Sequence, residues 1–361
     1  MKRFYWWFLI GALPIAVVVL FNYSVVFLAG ETRSYAEVVA SQQRDGTLLY
    51  GCIYNNDYVP YKTEVYRQRK PMVVAVGSSR TLLYRQDYFN APFANCGLAI
   101  RDLPTGLRFF REVEENPTAK VVLLGLDQWW FNERLGASPE LEYGSTGAEL
   151  TYDKLFTPVA YWLDGKIDYL RVAENYLAPE SVDGYVDIGL RAIEKGGGFR
   201  YDGSSLPDRA DIVARPPLRE FDTAGMKLIK SQPREYGYGK RLHRDTVDAF
   251  FAGVQRLRDR GVKVIVFLSP LAPHYYDYMQ ACGKYEYVSE LIAYAHEKYG
   301  VYDYLNPARL GLGNKDFMDL IHMRPAGYAR LLRDLVAREP ELRKVVVMEA
   351  IESVIKAEPP R

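Results

Sequence analysis

Cysteine is scarce in this sequence: Cys52, Cys96 and Cys282 are the three in 361 residues, with no C-x-x-C and no Cys/His ligand spacing. That argues against a zinc site. In an oxidising compartment two of them can pair and leave one free, and the sequence does not choose the pair. Net charge is nearly absent as well, since 46 Lys and Arg stand against 45 Asp and Glu for a formal +1. Without a field of one sign there is little to hold a polyanion, so nucleic acid is not an expected partner. Histidine is limited to four positions, and neither an internal repeat nor a low-complexity tract occurs. Against these absences, 48% of the residues are hydrophobic and 14% aromatic, with 29 Tyr and 5 Trp. A chain of this length and composition can bury a full core, as one large domain carrying an insertion or as two modest ones. Its aromatic surplus suits stacking on sugars or placement near a membrane, and equally suits core packing.

Charge is missing altogether between residues 4 and 30. As a helix this stretch reaches about 40 Å, more than the roughly 30 Å hydrocarbon layer of a bilayer. A cleaved secretory signal has an apolar region about half as long, followed by a small-x-small site, and no convincing A-x-A occurs here. Residues 1–30 therefore read as an uncleaved transmembrane signal anchor. Lys2 and Arg3 precede the run and Glu31 follows it, which by the positive-inside rule keeps the N-terminus cytoplasmic and places the remainder outside. The expected location is a single-pass protein of the cytoplasmic membrane with its main domain on the periplasmic or cell-surface side. Tyr5, Trp6 and Trp7 would mark the inner interface, and Pro14 is tolerated in a spanning helix.

Residues 31–70 are polar and aromatic without a clean period and read as a stalk. Beyond Pro71, the Val-rich run 72–76 ends in Gly77-Ser78-Ser79-Arg80, and similar apolar runs occupy 120–126 and 262–268, with a weaker one at 301–305. Runs of this length bounded by Pro and Gly are buried strands. Helical patterns lie between them at 103–115, 245–260 and 288–299, and a closing helix at 325–337 carries Pro325 in its first turn. This alternation predicts an α/β domain over 71–338, built from βαβ units with a parallel sheet covered on both sides. Residues 131–240 break the alternation with Gly196-Gly197-Gly198, several prolines and many tyrosines, and read as an insertion over one end of the sheet. The tail 339–361 reads as an amphipathic C-terminal helix that docks on the domain or on a partner.

In an open parallel sheet, sites form beyond the carboxyl ends of the strands, where Gly77-Ser78-Ser79-Arg80 falls. Glycine permits the tight turn, and amides at the start of the next helical turn can stabilise an oxyanion. Taken alone, the two serines are equally well explained as helix caps. The second element is Asp319-Leu320-Ile321-His322. An Asp three residues before a His can accept a ring hydrogen bond and fix the tautomer, leaving the other nitrogen as a base. Of the four histidines, His322 is the one with an Asp in that relation; His243, His274 and His296 lack it.

In these residues the chain resembles the SGNH/GDSL hydrolase superfamily. The resemblance makes Ser79 the nucleophile of the first block, with Ser78 where the family carries Asp. Asn95-Cys96-Gly97 is similar to the second block, whose Gly amide serves the oxyanion hole. Gly125-Leu126-Asp127-Gln128 stands where the family has Gly-x-Asn-Asp, and Asp319 and His322 match its Asp-x-x-His block. The four occur in family order over residues 72–335. What this implies is a three-layer α/β/α fold with a central parallel sheet, SGNH or flavodoxin-like, preceded by one transmembrane helix. It also implies a Ser79, His322 and Asp319 triad, and an oxyanion hole drawn from Ser79, Gly97, Asp127 and Gln128. Asp127 departs from the family Asn, since a carboxylate repels an oxyanion unless it is protonated or paired. Gln128 or Asn132 could donate instead, and on this reading Asp127→Asn keeps or raises turnover. An anchor with Gly-Ser-Ser and Gly-x-Asp blocks is similar to a membrane-anchored branch from cell-envelope polysaccharide loci. The D-alanyl-transfer protein of teichoic acid loci and the alginate O-acetylation proteins are examples of that branch.

The resemblance implies serine-dependent acyl transfer, such as O-acetylation, or deacylation of a cell-envelope or exopolysaccharide. It implies a glycan or acylated polysaccharide substrate, a membrane-bound acyltransferase partner, and no metal or organic cofactor. A plain carbohydrate or lipid esterase and a non-catalytic glycan-binding or scaffold subunit are the alternatives. The α/β-hydrolase elbow Gly-x-Ser-x-Gly ranks behind as a fold, because Thr81 stands at its fifth position and Asp319 and His322 share one loop.

Overall fold

A computed structural model of the chain describes residues 2–55, 57–134, 145–208, 218–231 and 234–357, with the side chains of 2–5, 8, 9 and 218–224 left undescribed. Two compact units are present, one of residues 1–61, 144–201 and 205–212, the other of 62–143, 202–204 and 213–361. Nine strands occur among the described residues: β1 (Leu48–Tyr50), β2 (Val73–Gly77), β3 (Phe93–Gly97), β4 (Val121–Leu126), β5 (Val186–Ile188), β6 (Gly198–Phe199), β7 (Ser205–Leu206), β8 (Lys263–Leu268) and β9 (Tyr302–Asp303).

The larger unit is α/β. Its sheet has the order β3-β2-β4-β8-β9, and every neighbouring pair is parallel. The strands β2, β3 and β4 are buried at every position, as expected of apolar runs with no solvent face. On one side, Val73, Ala75, Leu123 and Ile265 share a core with Leu331, Leu332 and Leu335 of helix Pro325–Arg338 and with Ile351 of helix Met348–Lys356. Helices Leu103–Glu115 and Arg244–Asp259 meet through Phe110 and Phe250, whose ring centroids are 5.1 Å apart. Each begins on a side-chain cap: Asp102 accepts from the Thr105 amide, and His243 Nδ1 accepts from the Thr246 amide. Counted in chain order within the sheet, the strand order is 2-1-3-4-5, which puts the reversal of direction between β2 and β4. Loops leaving those two strands diverge and open a crevice at their carboxyl ends.

The tail is not one helix. It breaks into Pro340–Arg343 and Met348–Lys356, and the turn between them is tied down where Val347 donates to the Tyr88 carbonyl and Asn90 to that of Val345. Leu342 and Ile351 are fully buried, so the tail belongs to the core of its own unit.

The smaller unit begins with the helix Lys2–Leu28, whose segment Ile10–Leu28 has a mean hydropathy of 2.2, long and apolar enough to cross a membrane. Residues 31–61 are not the stalk expected above. Helix Tyr35–Arg44, opened by a capping box from Ser34 and Glu37, buries Tyr35, Val38, Val39 and Gln42. After it, β1 pairs in parallel with β5 and antiparallel with β6, closing a sheet of order β5-β1-β6-β7. Those partners are supplied by residues 186–206, so 145–201 and 205–206 complete this unit instead of forming one continuous insertion with the described residues of 218–240, which belong to the larger unit. The remainder of the expected insertion, at 135–144, 209–217 and 232–233, lies outside the described residues. Glu31, the first charge after the apolar run, is buried and accepts from the amides of Ile53 (2.9 Å), Leu190 (3.0 Å) and Tyr54 (3.3 Å). Burial pushes its carboxyl up, and these amides act against that shift.

Candidate functional site

The candidate residues gather at the crevice between β2 and β4. Immediately after Gly77 the chain makes one 3-10 turn, Ser79–Thr81, capped by the Ser78 hydroxyl accepting from the Arg80 amide at 3.2 Å. Glycine is required there for two reasons. Gly77 has φ +153°, and a Cβ on it would lie 2.6 Å from the Gly125 carbonyl oxygen; one on Gly125 would lie 2.5 Å from Thr81 Cγ2. The two strand ends thus close on Thr81 at backbone distance. Asn95, on the third neighbouring strand, secures the far side of the turn by donating through Nδ2 to the carbonyls of Thr81 (2.9 Å) and Tyr84 (2.7 Å). Ser79 is left half-buried at the edge of the crevice, and Ser78 is buried.

The loop carrying Asp319 and His322 is built for a fixed ring position. A bridge between Phe317 and Met323 closes it, the Met318 amide donates to the His322 carbonyl at 2.8 Å, and Leu320 and Ile321 anchor it in the interior. Asp319 Oδ1 accepts from the amides of Ile321 (2.9 Å) and His322 (2.8 Å), an Asx turn that the Asp makes with its own loop. Its other oxygen, Oδ2, lies 2.7 Å from His322 Nδ1, and His322 Nε2 lies 2.7 Å from Ser79 Oγ. Sequence positions 243 residues apart thereby form one hydrogen-bonded relay. Desolvation acts to raise the Asp319 carboxyl, but the His322 ring and the two loop amides outweigh it and hold the group below the ordinary range. With Oδ2 as acceptor at Nδ1, the ring carries its proton there and presents a basic Nε2 to the hydroxyl.

Of the other histidines, His243 caps its helix and His296 Nδ1 contacts the Val301 carbonyl at 3.1 Å. His274 opens helix Pro273–Ala281, its amide donating to Asn314 Oδ1.

The residues expected to line an oxyanion hole sort differently. The Gly97 amide donates to Asn95 Oδ1 at 2.9 Å, so it is engaged within its own strand end. Asn132 is engaged as well, donating to the carbonyls of Gly237 and Tyr238 at 3.2 Å each. Asp127 forms a buried ion pair with Arg80, Oδ1 to Nη1 at 2.9 Å, both side chains 1% exposed. Gln128 Oε1 accepts from the same nitrogen at 3.3 Å. Because guanidinium only donates, that contact identifies the oxygen end of the Gln128 amide and leaves its NH2 as the free fork. Nη2 of Arg80 reaches across the crevice to the carbonyls of Ser269 and Pro270 beyond β8. One cation therefore ties together the carboxyl ends of β2, β4 and β8. Burial pushes the Asp127 carboxyl up, while Arg80, the Ser78 hydroxyl and His322 act to lower it. The Asp127 carboxylate is thus the counter-charge of Arg80, the paired case in which an acid at this position need not repel an oxyanion.

Arg80 and Asn95 were not given these roles from sequence. A usable signal existed for Arg80: a lone cation follows the serine where the third block carries an unexpected acid, and a buried charge demands a partner. Asn95 gave none, since its work is done on backbone carbonyls. The three cysteines are free thiols, with Cys52 and Cys96 buried, and among the described residues no His/Cys/Asp/Glu cluster could hold a metal ion.

Comparison with protein-family models, with curated proteins and with solved structures finds no match to this chain.

Proposed function

We propose that the protein is a Ser-His-Asp acyl-transfer enzyme or esterase, and one observation carries this reading: the continuous relay from Ser79 Oγ through His322 to Asp319, with 2.7 Å at both links. In the reaction we infer, Nε2 of His322 takes the Ser79 proton as Oγ attacks an ester carbonyl. The imidazolium is held by Asp319 and then returns the proton to the leaving alkoxide. Water or a sugar hydroxyl, deprotonated by the same nitrogen, releases the acyl group from Ser79. With the Gly97 amide engaged, we assign the oxyanion to the Ser79 amide, which as the first residue of its turn has no intrahelical acceptor, and to the free NH2 of Gln128.

The resemblance to the SGNH superfamily supports a three-layer, flavodoxin-like arrangement around the sheet and a polysaccharide ester as substrate. The apolar helix Lys2–Leu28, with Lys2 and Arg3 in its first turn, supports a single-pass anchor with the site on the extracytoplasmic side. An acyl donor delivered through the membrane by a partner acyltransferase would make transfer, and not hydrolysis, the productive outcome. The test is hydrolysis of a small aryl acetate by the purified full-length protein. Turnover abolished in a folded Ser79→Ala variant supports the reading; turnover unchanged by that substitution, or absent from the wild type with aryl acetates and acetylated oligosaccharides alike, refutes it.

A further inference from the structure

The apolar helix Lys2–Leu28 does not leave the membrane as a bare rod. Its last two turns are packed inside the smaller unit: Asn22 exchanges hydrogen bonds with the Leu155 carbonyl (2.7 Å) and the Val159 amide (2.8 Å). Val25 and Ala29 share a core with Ile167, Val172, Leu190 and Ile193. Phe21 stacks near Trp162 and Tyr169, at 5.7 and 5.1 Å between centroids, and Phe27 lies 6.4 Å from Tyr176. Three short helices, Tyr152–Phe156, Pro158–Leu163 and Tyr169–Leu177, supply the partners of Asn22, Phe21 and Phe27 and, through Val172, part of the core, while Leu190 and Ile193 come from helix Leu190–Lys195. Their outer surfaces mix large apolar side chains with charges: Tyr152, Trp162, Leu163, Leu170 and Leu177 are 46–79% exposed, and Asp153, Asp168 and Glu174 are exposed among them.

Length decides what covers them. Counted from Trp7, a helix reaches only about 21 Å at Phe21 and about 31 Å at Leu28, whereas the hydrocarbon layer is about 30 Å thick. If the exposed Trp6 and Trp7 mark the inner boundary, the protein-packed segment 21–28 must lie within the outer leaflet. The helices that pack it go in with it. We propose that these three short helices form a collar immersed to about 10 Å in the outer leaflet, so that the unit is held both by a spanning helix and by an interfacial surface. Interleaved polar groups agree with headgroup depth: Lys166 pairs with Asp164 at 3.0 Å and lies over the Tyr161 ring, and Arg171 is exposed beside Leu170. Leu170, Ala173 and Leu177 recur at helical spacing on one side of the third helix, while Val172 is buried.

The proposal rests on the anchor reading, and the experiment separates the two. In a full-length Cys282→Ala background, single nitroxide labels are placed through Leu163→Cys, Leu170→Cys, Val17→Cys on the apolar helix, and Gln255→Cys on helix Arg244–Asp259. After reconstitution in phosphatidylethanolamine/phosphatidylglycerol vesicles, accessibility to oxygen and to a water-soluble nickel chelate is measured by power saturation. The collar requires labels at 163 and 170 to favour oxygen over nickel by several-fold relative to 255, at shallower depth than 17. Nickel accessibility at 163 and 170 equal to that at 255, with 17 still protected, overturns the collar and leaves the anchor standing. Nickel access at 17 as well overturns both.

Discussion

Two contacts between a basic side chain and a carboxylate flank Ser79, and they are built in opposite ways. Arg80 and Asp127 are sealed, each 1% exposed, and the cation is committed to acceptors at three strand ends. His322 and Asp319 are open, 26% and 51% exposed, and held by a five-residue loop. A sealed pair whose partners all lie within the protein orients what surrounds it. A ring partly open to solvent, bonded to a carboxylate at one nitrogen and a hydroxyl at the other, has the geometry to pass a proton between them. The same two charge types are thus divided between a scaffold and a relay a few residues apart, and each half should fail in its own way.

The largest effect belongs to the relay. Ser79→Ala or His322→Ala should lower turnover of an aryl ester by on the order of 10⁴-fold or more, and Asp319→Asn by up to about 10⁴-fold. Thermal unfolding of all three should stay within a few degrees of wild type, because none of these side chains is sealed in the interior. The scaffold reverses the pattern. Arg80→Met, which strands a buried carboxylate, should cost about 3–5 kcal/mol in denaturant unfolding. Adding Asp127→Leu to it should restore about 2 kcal/mol, since the pair is then removed together. Asp127→Asn, with an acceptor kept but the counter-charge lost, should cost about 2 kcal/mol and should not raise turnover. A variant as stable and as active as wild type would show that Arg80 needs no counter-ion.

Acidity offers a smaller, sharper contrast, because the two carboxyls shift in opposite directions. Asp319 is held below its ordinary value of 3.8, so its contribution is present above that value and is lost as pH falls through the lowered one. Asp127 is raised above 3.8, so the folded state retains a proton the unfolded chain has released. Its contribution declines as pH rises from 3.8 through the raised value. Unfolding free energies from pH 3 to 7 for wild type, Asp319→Asn and Asp127→Asn should therefore give difference curves of opposite slope, and parallel curves would remove the distinction. The smallest effect concerns the thiols. Burial pushes Cys96 up to about 12 and Cys52 well above its usual value, so a maleimide should modify the native protein at Cys282 alone.

The sequence pattern carried the larger unit further than the smaller one, for a physical reason. Runs such as 72–76, 120–126 and 262–268 are apolar throughout because parallel strands are buried on both faces, and that composition is visible locally. The Asp319 and His322 spacing is local too, since one Asx turn makes both the loop and the ring contact. In residues 31–61 the order comes from elsewhere: β1 is three residues long and exists because 186–188 and 198–199 pair with it. Its neighbours bury tyrosines, and a polar, aromatic stretch without a clean period carries no local mark of that burial. Arg80 left a hint in the unexpected acid at 127, but its acceptors lie 47 to 190 residues away.

The central claim is that Ser79 is a nucleophile driven by His322, and covalent labelling tests it most directly. An aryl fluorophosphonate reacts when the serine oxygen attacks phosphorus, fluoride leaves, and the base takes the proton. Intact-mass and peptide mapping of the full-length protein should show one adduct, on Ser79, slowed by at least about 100-fold in His322→Ala. Adduct formation on Ser78, an unchanged rate in folded His322→Ala, or no adduct on a folded wild type would contradict it.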